Sequence, residues 1–145
     1  MNELSIAGTG AEWVVFMRQT KEGEPVVVRS RTAQHDLKNF ALANVLARLR
    51  CVPSDGKTND AGMPLITEVF DEYEDALIAE FERCRATVYQ IAVVTGAGCR
   101  DLFFTMSRKE LLSEAIEKIR ADRPFKIQIL WLEGKKERLL ESLSP

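Results

Sequence analysis

The chain is poor in the residues from which reactive centres are built. It has one histidine, His35, and three cysteines, Cys51, Cys84 and Cys99, which lie far apart with no CxxC pair. A structural zinc site needs about four Cys or His ligands at close spacing, so the usual sets cannot be assembled. A Cys–His nucleophilic pair would have to draw on His35 and a cysteine with no supporting local signature. Isolated cysteines among apolar neighbours read instead as small core residues. No apolar run approaches the ~18–20 residues of a bilayer crossing. The opening MNELSIAGTGAEW lacks a basic stretch leading into an apolar one, so it is no secretory signal and cytoplasm is the expected compartment. No cofactor and no metal are expected.

A dominant charge is missing too. The net charge is −2, from 20 basic and 22 acidic residues, which is not the basic balance of a nucleic-acid binder. The distribution is less even than the total. Residues 61–85 carry 2 basic and 7 acidic groups, so this segment holds all of the acidic excess.

What is present is enough chain for one domain with a real core: 145 residues, 46% hydrophobic and 29% charged. EWVVFMRQT (12–20) and VVVRSR (26–31) flank the turn KEGEP and read as a hairpin. Residues 32–42 read as a polar connection. NVLARLRCV (44–52) alternates, with Val45, Ala47, Leu49 and Cys51 on one face and Leu46, Arg48 and Arg50 on the other, as in a half-buried strand. PSDGKTNDAG (53–62) is turn chemistry. Pro64 stands at a plausible first helical position. Ile66, Val69, Phe70, Tyr73, Ala76, Leu77, Phe81 and Cys84 then recur at helix spacing, with Glu68, Asp71, Glu72, Asp75 and Glu82 opposite.

TVYQIAVV (87–94) alternates Tyr89, Ile91 and Val93 against Gln90 and Ala92. CRDLFFTM (99–106) alternates Leu102, Phe104 and Met106 against Asp101, Phe103 and Thr105. Ser107 and Glu110 have capping-box spacing at the head of a helix that buries Leu111, Leu112, Ala115, Ile116 and Ile119. FKIQILWLE (125–133) is the last strand and 135–143 a short amphipathic helix. Trp13 and Trp131 fall in strand patterns and read as core.

This order predicts an α+β fold: a ferredoxin-like βαββαβ sandwich over 44–133, with two helices on one face of an antiparallel sheet. The hairpin 12–31 precedes it and the terminal helix 135–143 follows, all in a single domain, 1–145.

VVTGAG invites a different reading, as the opening of a dinucleotide-binding unit. That fingerprint needs a third glycine and a helix N-terminus aimed at phosphate. Here Asp101 stands at the third position and a strand follows, so Gly96 and Gly98 read as residues of a tight turn between strands.

Two surfaces follow from the pattern. Arg48, Arg50, Gln90, Asp101, Lys126 and Gln128 are assigned to the sheet face away from the helices, with Arg100 beside them as a residue of the same candidate face. Arg48 and Arg50 are expected next to Asp101, either as a cross-strand charge pair or as a shallow site for an anion or peptide. An open sheet face resembles that of RNA-recognition modules, but RDLFFTM lacks their glycine and spaced aromatics, and nucleic acid is not an expected partner. The other surface is the acidic helix face, Glu68, Asp71, Glu72, Asp75 and Glu82, either solvated or a docking stripe for a basic partner.

Three stretches carry a family resemblance: EWVVFM with its early tryptophan, GMPLITEVFDEYEDALIAEF with Pro64 and Glu74-Asp75, and VVTGAGCRDLFFTM with Gly98 and Arg100. Over roughly residues 11–133 the chain resembles domain-of-unknown-function family 695, uncharacterised bacterial proteins with no agreed activity. More remotely it is similar to the regulators of ribonuclease activity B, acidic ferredoxin-like domains that bind and inhibit a ribonuclease. The resemblance implies a protein-binding regulator. With no metal set, catalytic triad or phosphate loop and with the acidic charge segregated, the expected function is a small non-enzymatic domain that binds an unidentified protein partner. The alternatives are an anionic-ligand binder or enzyme using the sheet face, and a homodimeric structural domain.

Overall fold

The computed structural model of the chain describes residues 13–31, 45–86, 88–119, 123–132 and 142–143. The predicted connection 32–42, His35 and most of the predicted terminal helix lie outside the described residues. Six strands, β1 (Val14–Gln19), β2 (Pro25–Ser30), β3 (Val45–Pro53), β4 (Val88–Gly96), β5 (Cys99–Met106) and β6 (Phe125–Trp131), form one antiparallel sheet in the order β1-β2-β4-β5-β3-β6. Among the described residues, two helices, α1 (Thr67–Arg83) and α2 (Glu110–Lys118), complete an α+β architecture.

Both helices pack on one face of the sheet. Phe70, Tyr73, Leu77 and Phe81 of α1 and Leu112 and Ala115 of α2 share a buried cluster with Ala47, Leu49, Cys51, Val88, Val93, Leu102, Phe104 and Met106. Edge-on aromatic contacts fix the layers: Phe81 meets Phe104 at 5.5 Å between centroids, and Phe70 and Tyr73 flank Phe125 at 5.1 and 5.2 Å. A second cluster lies on the opposite sheet face. Val26, Val28, Leu46, Tyr89, Ile91, Ala92 and Phe103 pack there with Leu143 from near the C-terminus.

The apolar repeat therefore places α1, but its start is corrected. The helix begins at Thr67 behind Ile66, with no side-chain cap. Pro64 is instead bridged to Thr58 in the preceding loop, where Asn59 ties the chain back on itself. The Ser107–Glu110 capping box does not form either. Strand β5 runs to Met106, and Lys109 is already helical, so Ser107 stands two residues outside the cap position.

The turn after VVTG is a two-residue link between β4 and β5. Ala97 and Gly98 both have positive φ, 50° and 83°, as a tight antiparallel turn with right-handed strand twist requires. Gly96 has a separate reason to be glycine. At φ 145°, a Cβ there would stand 2.7 Å from the Pro25 carbonyl oxygen and 2.9 Å from Val26 Cα on the neighbouring strand.

Strict alternation fails in β4. The ladder with β5 slips between Gln90, opposite Phe104, and Ala92, opposite Phe103, leaving Ile91 as an extra residue. Such a bulge lets two successive residues face the same side. Tyr89, Ile91 and Ala92 consequently lie in the cluster away from the helices, and Gln90 turns toward them. The assignment of Tyr89 and Ile91 to the helix side, and of Gln90 to the open face, is reversed by that one inserted residue. Val93 alone of the three remains on the helix side.

Candidate functional site

The helix α1 presents two chemically different faces. At 100° per residue, Glu68, Asp71, Glu72, Asp75 and Glu82 fall within an arc of about 100°, opposite Phe70, Tyr73, Leu77 and Phe81. All five carboxylates are exposed, and the four apolar residues are buried. Only Asp71 of the five is ion-paired among the described residues, with Arg100. Glu68, Glu72, Asp75 and Glu82 form a stripe of solvated negative charge over about four turns.

The flank of the same helix is stitched to the sheet by a polar seam. Glu74 is 5% exposed and belongs to the buried side of α1. Its Oε2 accepts from Arg29 Nη2 at 2.6 Å and from Gln90 Nε2 at 3.0 Å, whereas its Oε1 is buried without a partner among the described residues. One turn earlier, Asp71 Oδ1 accepts from Arg100 Nη1, and Arg100 Nε donates to Thr95 Oγ1 at 3.0 Å. Trp13 stacks on the Arg29 guanidinium at 4.9 Å. Opposite charges in a partly desolvated seam fix the rotation of α1 about its axis, so the acidic stripe faces outward in one orientation. Arg100 thus lies on the helix side with Leu102 and Phe104, not on the open face, because residues two apart on a strand share a side. Arg29, Glu74 and Thr95 are seam residues that the sequence reading assigns to neither candidate surface. The signal for Glu74 was its place on the apolar stripe, four residues after Phe70 and three before Leu77.

Beyond this seam the sheet extends past α1. Val15, Val27 and Val93, with Arg29, Thr95, Arg100 and Asp71, line a shallow pocket of about 180 Å³.

On the opposite sheet face, Arg50 and Asp101 are paired as the alternation requires. Arg50 Nε and Nη2 donate to the two carboxylate oxygens of Asp101 at 2.7 and 2.9 Å, and the residues are opposite in the β3–β5 ladder. This fork-to-carboxylate bond pushes the Arg50 guanidinium further above its already high range. Arg48 lies opposite Phe103 and Leu130, and its Nε is buried without a partner among the described residues. Gln128, opposite Arg50, and Lys126, opposite Val52, are exposed on β6. The middle of the face is closed: Asp101 is 7% exposed, Phe103 5% and Thr105 0%.

The cysteines occupy three environments. Cys51 is in the core, and burial pushes its thiol up to about 12. Cys99 is half-buried and is raised mainly by burial. Cys84 is exposed, contrary to the core reading, because α1 ends at Arg83 and the chain turns away. Its Sγ lies 3.0 Å from Glu80 Oε2, and that hydrogen bond raises the thiol. The Arg83 fork, ahead of the Cys84 bond, holds Glu80 down at about 2. All three thiols are thereby kept protonated near neutrality, the opposite of nucleophile activation. Among the described residues, no three His, Cys, Asp or Glu side chains are grouped to hold a metal ion, and no helix is long and apolar enough to cross a membrane.

No family model matches the chain, and neither a curated protein nor a solved structure matches it significantly.

Proposed function

We propose that the chain is a protein-binding domain whose contact surface is the outer face of α1, read by a partner carrying complementary basic groups. The observation that carries this reading is the stripe of exposed carboxylates, four of them unpaired among the described residues, on a helix whose rotation is held by buried charge. Charges at such a rim steer encounter and select partners more than they add affinity, so the interaction should weaken steeply with salt. The supporting scaffold is, in this reading, a ferredoxin-like unit made of β3, α1, β4, β5, α2 and β6, with β1 and β2 added at the β4 edge. The helix is favoured over the opposite sheet face because Asp101, Phe103 and Thr105 there are buried. A regulatory role is part of this proposal only through the sequence resemblance to ribonuclease-inhibitor domains and rests on that resemblance alone.

The test is co-purification of partners from the native cell with wild-type protein and with a Glu68→Lys, Glu72→Lys, Asp75→Lys, Glu82→Lys variant. Asp71 is left intact because its removal would strip Arg100 of a partner. A partner recovered by wild type, released by moderate salt and lost from the variant supports the reading; equal recovery by both contradicts it.

A second reading has one observation in its favour. Arg48 Nε is buried without a partner among the described residues, on the sheet face that also carries the exposed Gln128 opposite Arg50 and Lys126 opposite Val52, and such donors suit a small anion. A thermal-shift screen of anionic metabolites tests it, with Arg48→Ala as control. A melting temperature that no compound raises, or that rises equally in the variant, ends that reading.

A further inference from the structure

Strand β1 is the last strand of the sheet on one side, and among the described residues nothing pairs with its outer edge. An unpaired edge is a template for another strand, and monomeric proteins guard such edges with lysine, proline or bulges inside the strand. Strand β1, VVFMRQ, has none of these in its centre. Its single charge, Arg18, lies over the Phe16 ring at 5.2 Å. The opposite edge strand, β6, by contrast carries Lys126 near its start.

The apolar side chains of β1 are also left in water. Val15 is 67% exposed, the largest value among the exposed hydrophobic residues described, and Met17 is 59% exposed, level with Leu65. Both share the helix side of the sheet, since they stand opposite Arg29 and Val27 in the β1–β2 ladder. The occupant that this strand fits is a copy of itself.

We propose that β1 pairs antiparallel with β1 of a second copy about a two-fold axis through Phe16, joining two six-stranded sheets into one. In that register Val15 faces the partner's Met17, and Met17 the partner's Val15, on the helix side. Phe16 meets the partner's Phe16 on the other side, and Val14 meets the partner's Arg18. Residues directly opposite in an antiparallel pair share a face, so all three apolar contacts fall on matching sides and no like charges meet. A shift that moves the axis to Met17 would instead set Val15 against the partner's Gln19. The interface is isologous and closes on itself, so it yields a dimer and no filament. Val15 also lines the pocket beside α1, which the partner's Met17 would extend. The inference does not rest on the acidic-helix reading.

Size-exclusion chromatography with light scattering, across a concentration series of the full chain, tests it. The expected mass is twice the chain mass of 16.4 kDa. Met17→Lys, which places a charge at both symmetric contacts, should raise the dissociation constant at least about tenfold and give the monomer mass over the same series. Met17→Thr keeps strand propensity and serves if the lysine variant loses its far-ultraviolet circular dichroism; it should shift dissociation in the same direction. A monomeric wild type, an assembly larger than a dimer, or a dimer that the folded variants leave intact would overturn the proposal.

Discussion

Replacing Gly96 by alanine tests the reading of the glycine-rich turn most sharply. The new methyl group would stand 2.7 Å from the Pro25 oxygen, 2.8 Å from Val26 Cγ1 and 2.9 Å from Val26 Cα. Two of these three neighbours are backbone, so relief requires β2 to move off β4 rather than one side chain to rotate. The residue also sits at φ 145°, where a non-glycine residue costs about 1–3 kcal/mol. Overpacking of a tight contact adds about 1–3 kcal/mol. Together they give a loss of roughly 2–6 kcal/mol from a domain whose whole stability is expected near 5–15 kcal/mol. Gly98→Ala is the internal control. Its φ is 83°, but the nearest atom to the new Cβ is Thr58 Cγ2 at 3.9 Å, so only the backbone term remains, about 1–2 kcal/mol. Urea unfolding of the two variants beside wild type measures the difference. If Gly96→Ala costs no more than Gly98→Ala, the close approach of β2 to the end of β4 is refuted. The reading of Gly96 as a packing residue goes with it.

Two further predictions concern the seam and the core. Glu74→Ala should cost about 2–3 kcal/mol in urea unfolding. The change breaks a buried pair, but Arg29 is 39% exposed at its side chain and can return to water, which keeps the loss below the usual 3–5 kcal/mol. A loss under about 0.5 kcal/mol would mean the seam does not hold α1. Stability should also fall at alkaline pH. Cys51 and Tyr73 are raised by burial to about 12 each, so between their ordinary values and pH 12 the folded state binds more protons than the unfolded state. Their contribution is complete below about pH 9 and is lost as pH rises toward 12, at up to about 1.4 kcal/mol per pH unit for each group. Cys51→Val should flatten that slope in denaturant titrations at graded pH; an unchanged slope would contradict the assignment.

Much of this architecture was legible in the residues because most of the chain obeys a single period. The alternation of β3 and β5 gave their buried faces, and with them the Arg50–Asp101 pair, from spacing alone. The apolar repeat of α1 likewise separated five exposed carboxylates from the core. The seam was not legible, for a local reason. Its residues come from β2, β4, β5 and α1, and one of them, Gln90, changes side at a bulge that leaves no mark in the apolar pattern. Arg100 is next to Asp101 in sequence but lies on the other face of the sheet, where parity with Leu102 places it. Ser107 and Glu110 have the spacing of a capping box, yet where β5 ends and α2 begins decides whether the two can meet.

The outward acidic stripe is the central claim, and one measurement bears on it directly. Partner recovery is compared between wild type and the Glu68, Glu72, Asp75, Glu82 to lysine variant, with matched circular dichroism and over a range of ionic strength. A partner that wild type holds at low salt, releases as salt rises and the variant fails to bind at any salt is the predicted result. Recovery of the same partner by both proteins, with the same salt dependence, would contradict it.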